Sequence, residues 1–340
     1  MNYQLLGQSG LKVSELALGT MTFGNDWGWG ADKETCQKLF ETYAEAGGNF
    51  IDTANFYTGG SSERILGDLL KAERDHFVLA SKFSLNMSPK DINAGGNHRK
   101  NIWQSLRASL ERLQTDYLDI YWLHIWDFTT NTQEVMRALD DIVRQGLVHY
   151  IGVSDTPAWV VAQANTLADL RGLTPFVASQ AEYNLVKRDA ERDLLPVAKA
   201  FGMTTLAWSP LGGGLLTGKY QKGQAQDSSR LQEGNSRFSD KNLEIAGVVV
   251  EIAKELECEP SQVALAWLLK QQNVIPIIGS RKVHQLEQNL ECLNVDLSEK
   301  HLKKLEDISQ IDYGFPHSFI QSESNKKMIF GDKFERFKAE

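Results

Sequence analysis

The chain has 340 residues, of which 42% are hydrophobic and 24% charged, and its formal net charge is −8 at pH 7. This composition is typical of a globular protein and excludes a disordered or collagen-like chain. A net negative charge gives no general electrostatic reason to bind nucleic acid or an anionic membrane surface, so we expect neither partner.

The three cysteines, Cys36, Cys258 and Cys292, are too few and too scattered to predict a disulfide framework or a zinc ribbon. The seven histidines form no HExxH motif and no close pairing with cysteine, so no metal site is predicted. The N-terminus lacks the pattern of a secretory signal, and no apolar run of about 18 residues could span a membrane. These observations predict a reduced, cytoplasmic protein.

The N-terminal segment predicts a small β-hairpin within residues 1–14, because apolar residues flank the turn Gly7–Gly10. After it, short apolar runs alternate with amphipathic helical stretches. The runs predict eight strands: Leu16–Met21, Phe50–Thr53, Phe77–Lys82, Tyr117–His124, His149–Ser154, Phe176–Tyr183, Thr204–Ser209 and Val274–Ser280. The helical patterns cover Lys33–Ala46, Ser62–Leu70, His98–Leu113, Thr132–Gln145, Ala158–Leu170, Ala190–Phe201, Asn242–Glu257, Ser261–Lys270, Lys282–Leu293 and Glu299–Ile308.

This alternation predicts parallel strands joined by crossover helices. Eight repeats favour an α/β fold of the closed (β/α)8 TIM barrel type over an open sheet. We expect residues 1–340 to form one such domain, with the hairpin covering the bottom of the barrel. The segments 211–240 and 312–340 are longer than a barrel requires, and long connections of this kind are usually functional. They start at the end of the barrel where active sites lie.

Two glycine-rich segments match known nucleotide-binding motifs only in part. Gly28 and Gly30 begin a GxGxxG-like pattern, but no third glycine and no preceding strand complete a Rossmann fingerprint. The segment 213–219 satisfies GxxxxGK, yet Tyr220 follows it where a P-loop has Ser or Thr. Its glycines would still allow the backbone to approach a pyrophosphate closely.

Four side chains of complementary chemistry lie at or just after predicted strand ends. Asp52 lies at the end of the second strand, Tyr57 follows in the same loop, and Lys82 and His124 end the third and fourth strands. Each alone has an ordinary structural interpretation, such as a turn cap, a half-buried aromatic, a rim cation or a packing histidine. Together at the mouth of one barrel, they predict a catalytic site.

Carbonyl reduction explains this set of residues. Hydride addition leaves an alkoxide that must take a proton, and Tyr57 can supply it because the Lys82 ammonium favours the phenolate. Asp52 would hold that ammonium, and a neutral His124 would donate a hydrogen bond to the carbonyl oxygen. No metal is required, and the hydride must come from a cofactor.

The chain resembles the aldo-keto reductase superfamily along nearly its whole length, to about Ile308. The resemblance is carried by LGTMTFG (18–24), FIDTANFYTGGSSERILG (50–67), LASKF (79–83), SLERLQTDYLDIYWLHIWD (109–127), IGVSD (151–155), WSPLGGGLLTGKY (208–220) and IPIIGSRKVHQLEQNL (275–290). It implies a barrel of the monomeric type that binds NADPH in extended form without a Rossmann fold and reduces a small carbonyl substrate. It also implies the tetrad of Tyr57 as acid and base with Lys82, Asp52 and His124.

The resemblance further implies a set of cofactor contacts. Candidates at predicted strand ends are Thr20, Met21, Asp52, Ser154, Gln180 and Trp208, with Ser154 and Gln180 at the nicotinamide carboxamide and Trp208 stacked on the ring. Candidates along the pyrophosphate are Ser209, Leu211, Gly213 and Lys219, within a cofactor-clamping loop over 211–240. Candidates near the 2′-phosphate and adenine are Gly279, Ser280, Arg281, Gln285, Gln288 and Asn289.

The start of one predicted helix bears on the choice between NADP and NAD. Arg281 stands at the start of a predicted helix, where a phosphate binds favourably, and no acidic residue in 279–286 favours NAD over NADP. The alternative for Arg281 is a solvated surface cation.

The chain departs from the family at one position. The family commonly has Ser-Asn where this chain has Ser154-Asp155. An ionised Asp155 cannot donate a hydrogen bond, so we do not include it among the cofactor contacts.

The substrate pocket is expected to be aromatic. Its candidates are Trp27, Trp29, Phe56, Phe83 and Trp126, with 85–100 and the C-terminal tail completing the walls. Such a rim favours aromatic or aliphatic aldehydes and ketones over highly charged substrates. The alternative is that some of these tryptophans only pack loops onto the barrel.

Two other functions fit the same residues. Potassium-channel β-subunits share this barrel and tetrad and act as nicotinamide-binding regulatory partners, and a stable tetramer would favour that interpretation. A Schiff-base aldolase would use Lys82 as nucleophile, but it needs a neutral amine, whereas Asp52 should keep Lys82 protonated. The sequence shows no clear self-association face, so we expect a monomer.

Overall fold

The first residues of the chain form a hairpin against one end of the molecule; the computed structural model describes residues 1–220, 237–331 and 333. Strands β1 (Tyr3–Leu5) and β2 (Lys12–Ser14) pair antiparallel. Between them Gly7 has φ +56°, and its N–H donates to Thr204 Oγ1 at 2.8 Å. A Cβ on Gly7 would lie 2.2 Å from the carbonyl oxygen of Val177, so this close approach requires glycine.

Within the described residues, eight parallel strands close into a barrel. They are β3 (Ala17–Gly19), β4 (Phe50–Asp52), β5 (Val78–Phe83), β6 (Leu118–Leu123), β7 (Val148–Ser154), β8 (Phe176–Glu182), β9 (Thr204–Trp208) and β10 (Val274–Ile278). They follow chain order around the barrel, and β10 pairs with β3 to close it. Each overlaps one predicted strand, so the predicted (β/α)8 barrel with an N-terminal hairpin is confirmed. Val177 and Thr204 lie at the starts of β8 and β9, which puts the hairpin at the bottom of the barrel.

Large apolar side chains fill the barrel interior. Trp122 on β6 is fully buried, and its partner in register on β7 is Gly152. A Cβ on Gly152 would lie 2.2 Å from the indole of Trp122, so the missing side chain makes room for the ring. Leu6 and Val13 of the hairpin belong to the same interior cluster.

Helices pack around the barrel and bury the outward-facing strand residues. They are α1 (Lys33–Glu45), α2 (Ser61–Leu70), α3 (Arg99–Leu113), α4 (Thr132–Arg144), α5 (Ala158–Arg171), α6 (Leu194–Ala200), α7 (Asp240–Glu255), α8 (Pro260–Leu269), α9 (Val283–Leu290) and α10 (Glu299–Ser309). Two mostly exposed helices, α11 (His317–Ile320) and α12 (Glu323–Phe330), follow in the C-terminal tail. Side chains of Asp32, Ser239 and Ser298 accept hydrogen bonds from backbone N–H groups in the first turns of α1, α7 and α10. These caps satisfy donors that a helix start otherwise leaves open.

Two predicted helices differ from the structure. The helix predicted over 190–201 is a 3₁₀ turn, Asp189–Glu191, followed by α6, which places Pro196 in the first turn, where a missing N–H costs little. The helix predicted over 282–293 is α9 followed by a 3₁₀ turn at Glu291–Asn294. The C-terminal tail, for which no element was predicted, carries α11 and α12. Residues 221–236 of the predicted clamping loop, and 332 and 334–340 of the tail, lie outside the described residues.

The described residues contain neither a membrane-spanning helix nor a metal-binding cluster. In residues 1–220 and 237–331, no helix is long and apolar enough to cross a membrane. Across that same part of the chain, no three His, Cys, Asp or Glu side chains come together in a way that could hold a metal ion.

Candidate active site

A buried ion pair lies at the C-terminal end of the barrel strands. The Lys82 ammonium at the end of β5 donates to Asp52 Oδ2 at 2.5 Å, to the Thr53 carbonyl at 2.8 Å and to the Tyr57 hydroxyl at 3.0 Å. Asp52 and Lys82 are 2% and 1% exposed. All three ammonium protons therefore have acceptors, as a buried cation requires.

The other carboxylate oxygen of Asp52 is also held. Gln180 on β8 donates from Nε2 to Asp52 Oδ1 at 2.6 Å. Both oxygens of Asp52 thus face donors, which fixes the carboxylate and through it the ammonium of Lys82. The bond uses the amide nitrogen of Gln180 and leaves its amide oxygen for another donor.

A tight turn presents Tyr57 at the mouth. Thr58, Gly59 and Gly60 have φ values of 48°, 61° and 87°, so the chain passes through three successive left-handed residues before α2 begins at Ser61. Two glycines make this path accessible. The Thr58 hydroxyl donates to the Phe23 carbonyl at 2.7 Å and anchors the turn to the preceding loop.

His124, directly after β6, stands beside Tyr57. The two ring centroids are 5.9 Å apart with the planes at 82°. Burial, together with the charge of Lys82, lowers the pKa of His124 to about 3, so the ring is neutral at physiological pH. Its Nδ1 atom is buried and lacks a hydrogen-bond partner among the described residues.

The acidity of Tyr57 differs from the sequence expectation. Burial raises the pKa of the Tyr57 hydroxyl above its usual value, and the opposing effect of Lys82 does not overcome it. Burial also lowers the pKa of Lys82, but Asp52 and Tyr57 together raise it above the ordinary value. Lys82 is therefore protonated and not nucleophilic, which argues against the aldolase alternative.

The candidates for the nicotinamide end line adjacent strand ends. Ser154 on β7 is the partner in register of Gln180 on β8, and both are buried. Trp208 ends β9 and is half-buried. Thr20 follows β3 and donates to the Asp52 carbonyl at 3.0 Å, so its hydroxyl has a structural partner within the site, and Met21 beside it is half-buried.

The pyrophosphate candidates form a glycine turn after β9. Ser209 has φ +55°, and Gly212, Gly213 and Gly214 have φ values of 58°, 69° and 97°. A Cβ on Gly214 would lie 3.0 Å from both Cε and Nζ of Lys219, so the Lys219 ammonium packs against the backbone of Gly214. Leu211 is half-buried beside this turn.

The phosphate and adenine candidates lie between β10 and the end of α9. The backbone N–H of Arg281 donates to Gln285 Oε1 at 3.3 Å, and Asn289 Nδ2 donates to Ser280 Oγ at 3.5 Å. Gly279 comes close to Gly19, since a Cβ would lie 3.2 Å from the Gly19 carbonyl oxygen. Gln288 is exposed on α9. The candidate cofactor residues therefore border one continuous sector of the mouth, from β7 through β10 to β3 and β4.

Comparison with known proteins agrees with this geometry. A profile of the aldo/keto reductase family matches residues 15–310. The chain belongs to this family. It is 40% identical to norsolorinic acid reductase of Aspergillus flavus, over 93% of this chain and 83% of that protein. It is 36% identical to aryl-alcohol dehydrogenase [NADP(+)] of Phanerodontia chrysosporium, over 97% of this chain and 88% of that protein. The resemblance seen in the sequence is thereby confirmed.

Three of the five pocket candidates of this aldo/keto reductase meet at its mouth. The Trp27 ring centroid lies 5.6 Å from that of Trp29 and 5.9 Å from that of Phe56. Trp29 is 37% and Phe56 38% exposed, and Phe56 adjoins Tyr57. These rings form an open aromatic surface next to the phenol.

The other two candidates are not brought there. Phe83 is fully buried on the outer face of β5, with its ring 5.0 Å from that of Tyr121, because neighbouring strand residues point to opposite sides and Lys82 points inward. Trp126 is 8% exposed and packs in the layer between barrel and helices. Phe83 is not a pocket residue in this structure, and Trp126 fits the loop-packing alternative.

Two residues of this aldo/keto reductase near the mouth were not predicted. Ile125 and Phe128, in the loop after His124, are 43% and 72% exposed and extend the apolar rim. Their position directly after a strand-end histidine was the available signal. Asp155, set aside above, accepts a hydrogen bond from Trp208 Nε1 at 3.0 Å.

The lowered pKa of His124 should appear in the pH dependence of stability. Between about pH 6.5 and pH 3 the unfolded chain binds a proton at His124 that the folded protein does not, so this contribution to stability is lost as pH falls. The stability advantage of the wild type over H124Q should therefore shrink by up to about 1.4 kcal/mol per pH unit below pH 6.5. Urea denaturation between about pH 7 and pH 5 measures it.

The wild type and H124Q are compared at each pH, so that effects of pH on the rest of the protein cancel in the difference. A stability difference that stays constant over this range would contradict the lowered pKa of His124.

Proposed function

We propose that the protein reduces aldehydes or ketones to alcohols with NADPH, using Tyr57 as general acid. The observation that carries the proposal is the Tyr57 hydroxyl, hydrogen-bonded to a buried, charged Lys82 and standing edge-on to a neutral His124. This arrangement suits the delivery of a proton to an oxygen that becomes negative, since a cation and a neutral donor flank the phenol.

Each residue of the site has a separate role in protonating the carbonyl oxygen. His124 donates a hydrogen bond to the carbonyl oxygen, and Tyr57 then transfers its hydroxyl proton to that oxygen as negative charge develops there. Lys82 stabilises the phenolate that remains, which offsets the cost of ionising a buried tyrosine. Asp52 and Gln180 hold the ammonium in place. When bound, NADPH supplies the hydride.

The mouth fits a nicotinamide dinucleotide in its donor set. Ser154 and Gln180 offer buried polar side chains near the tetrad, and Trp208 offers an aromatic face. The left-handed glycine turn with Lys219 above it suits a pyrophosphate, which needs close backbone and a cation. Arg281, just before α9, would bind the 2′-phosphate with Gln285 beside it.

The aromatic surface of Trp27, Trp29 and Phe56 supports a substrate that carries an aromatic or extended apolar group. Rings in offset or tilted contact with such a group bury apolar area beside the phenol without desolvating a charge. NADPH oxidation measured against matched aromatic and aliphatic aldehydes and ketones tests the function. Turnover of at least one carbonyl class supports the proposal, and no turnover of any class by a protein that binds NADPH contradicts it.

The assignment of Arg281 predicts a cofactor-specific loss. In R281A the dissociation constant of NADPH should rise about 10- to 100-fold, because a charge-assisted contact to the 2′-phosphate is lost, while that of NADH changes by less than about twofold. Fluorescence titration with both cofactors measures this. Lys282, the exposed neighbouring cation, provides the control K282A, which should bind both cofactors like the wild type. Equal losses of NADPH and NADH affinity in R281A would remove the assignment.

A further inference from the structure

Asp155 occupies a constrained position at the mouth. It follows β7 directly and has φ +40°, a backbone conformation uncommon outside glycine. Its backbone N–H donates to the Gln180 carbonyl at 3.3 Å. Its carboxylate Oδ1 accepts the hydrogen bond from the indole Nε1 of Trp208 at 3.0 Å. The side chain is thus fixed at the edge of the Trp208 ring.

The charge of Asp155 is not neutralised by a contacting cation. The neighbouring carboxylates are paired, since Asp52 binds Lys82 and Glu182 binds Arg237. Asp155 instead accepts from a neutral indole, and over the part of the chain that the structure describes it forms no ion pair with Lys or Arg. A negative charge therefore remains at the edge of the Trp208 ring.

We infer that the Asp155 carboxylate stabilises the positive charge of the oxidised nicotinamide and so favours hydride transfer towards carbonyl reduction. The inference rests on the proposed function, which places the nicotinamide on Trp208. It gives Asp155 an electrostatic role that needs no hydrogen-bond donation.

The charge balance of the reaction explains the role. Reduction moves a hydride to the carbonyl carbon and a proton from Tyr57 to the carbonyl oxygen, and loss of the hydride leaves the nicotinamide ring with a positive charge. The Asp155 carboxylate, fixed at the edge of Trp208, would attract the positive charge of an oxidised nicotinamide stacked on Trp208. It would have no matching attraction for the neutral, reduced nicotinamide. Asp155 should therefore lower the dissociation constant of NADP⁺ relative to that of NADPH.

The role requires the charged form of Asp155, which sets the pH of the test. Burial raises the pKa of the carboxyl above its usual value, and the hydrogen bond from Trp208 and the charge of Lys82 oppose this rise without reversing it. The cofactor measurements are therefore made at about pH 8, well above the usual range of a carboxyl group.

D155N isolates the charge from the contact. An asparagine oxygen can still accept from Trp208 Nε1, and asparagine tolerates the left-handed backbone at least as well as aspartate. At about pH 8 the ratio of the dissociation constants of NADP⁺ and NADPH should rise about 3- to 10-fold in D155N, mainly through weaker NADP⁺ binding. Isothermal titration calorimetry with each cofactor measures both constants.

D169N is the matched control, since it removes the same charge from an exposed position near the C-terminal end of α5, at the far end of the barrel. Its ratio should equal that of the wild type. D155A should additionally weaken both cofactors, because Trp208 loses the acceptor that orients it. If D155N binds NADPH but its ratio equals that of the wild type, the inference is wrong. If the wild type binds neither cofactor, the proposed function is wrong.

Discussion

Replacing Tyr57 with phenylalanine is expected to lower kcat for carbonyl reduction by roughly 10²- to 10⁴-fold, the range that a positioned general acid contributes. The substitution removes one hydroxyl and leaves the ring beside His124. The dissociation constant of NADPH should stay close to that of the wild type, because the phenol is assigned to the substrate oxygen. Steady-state kinetics and cofactor titration on the same preparation separate the two effects.

Tyr117 provides a matched control for this experiment. Its hydroxyl also makes a hydrogen bond, to Asp75 at 2.8 Å, but that pair is exposed and lies away from the mouth. Y117F should therefore retain normal turnover. Wild-type turnover in Y57F would mean that another group donates the proton and that the proposed role of Tyr57 is wrong.

The largest expected effect on stability comes from Asp52. In D52N both side-chain positions still face donors, Lys82 Nζ on one side and Gln180 Nε2 on the other, so the new amide group must oppose one of them. The ammonium of Lys82 would also lose its counter-ion at a site where it is 1% exposed. We expect the free energy of unfolding to fall by about 3–5 kcal/mol, together with a loss of activity.

Two further variants sharpen this test. D68N removes the carboxylate from an exposed ion pair with Lys33 and should cost less than about 1 kcal/mol. The double variant D52N/K82M should recover part of the stability lost in D52N without recovering activity, because the uncompensated charge is gone. Urea denaturation gives all three values. A D52N protein as stable as D68N would show that the buried ion pair does not constrain the fold.

Much of the fold followed from local patterns. Parallel barrel strands are buried on both faces, so runs such as 118–123 and 274–278 read as nearly continuous apolar stretches. The alternation with amphipathic helices then limited the topologies to very few. Helix boundaries differed from the predicted ones by a few residues, because the position of Pro196 within a turn and the capping by Ser239 depend on only a few atoms.

The site was partly predictable for a similar reason. Asp52, Lys82 and His124 lie at strand ends, and strand ends of a parallel barrel must meet at one rim whatever the details of packing. Phe83 shows the limit of that argument. It too ends a strand, but the inward direction of Lys82 turns Phe83 towards the helices, and strand register alone decides between the two faces.

By itself the sequence determined the barrel, the rim at which the reactive groups meet and the family, because these depend on periodicity, chain order and motif spacing. Only the tertiary structure decided how those groups behave. Burial outweighs Lys82 in setting the pKa of Tyr57 and makes His124 neutral, and a contact between the ends of β7 and β9 joins Asp155 to Trp208. Desolvation and contacts between segments far apart in the chain depend on three-dimensional packing, which no local pattern records.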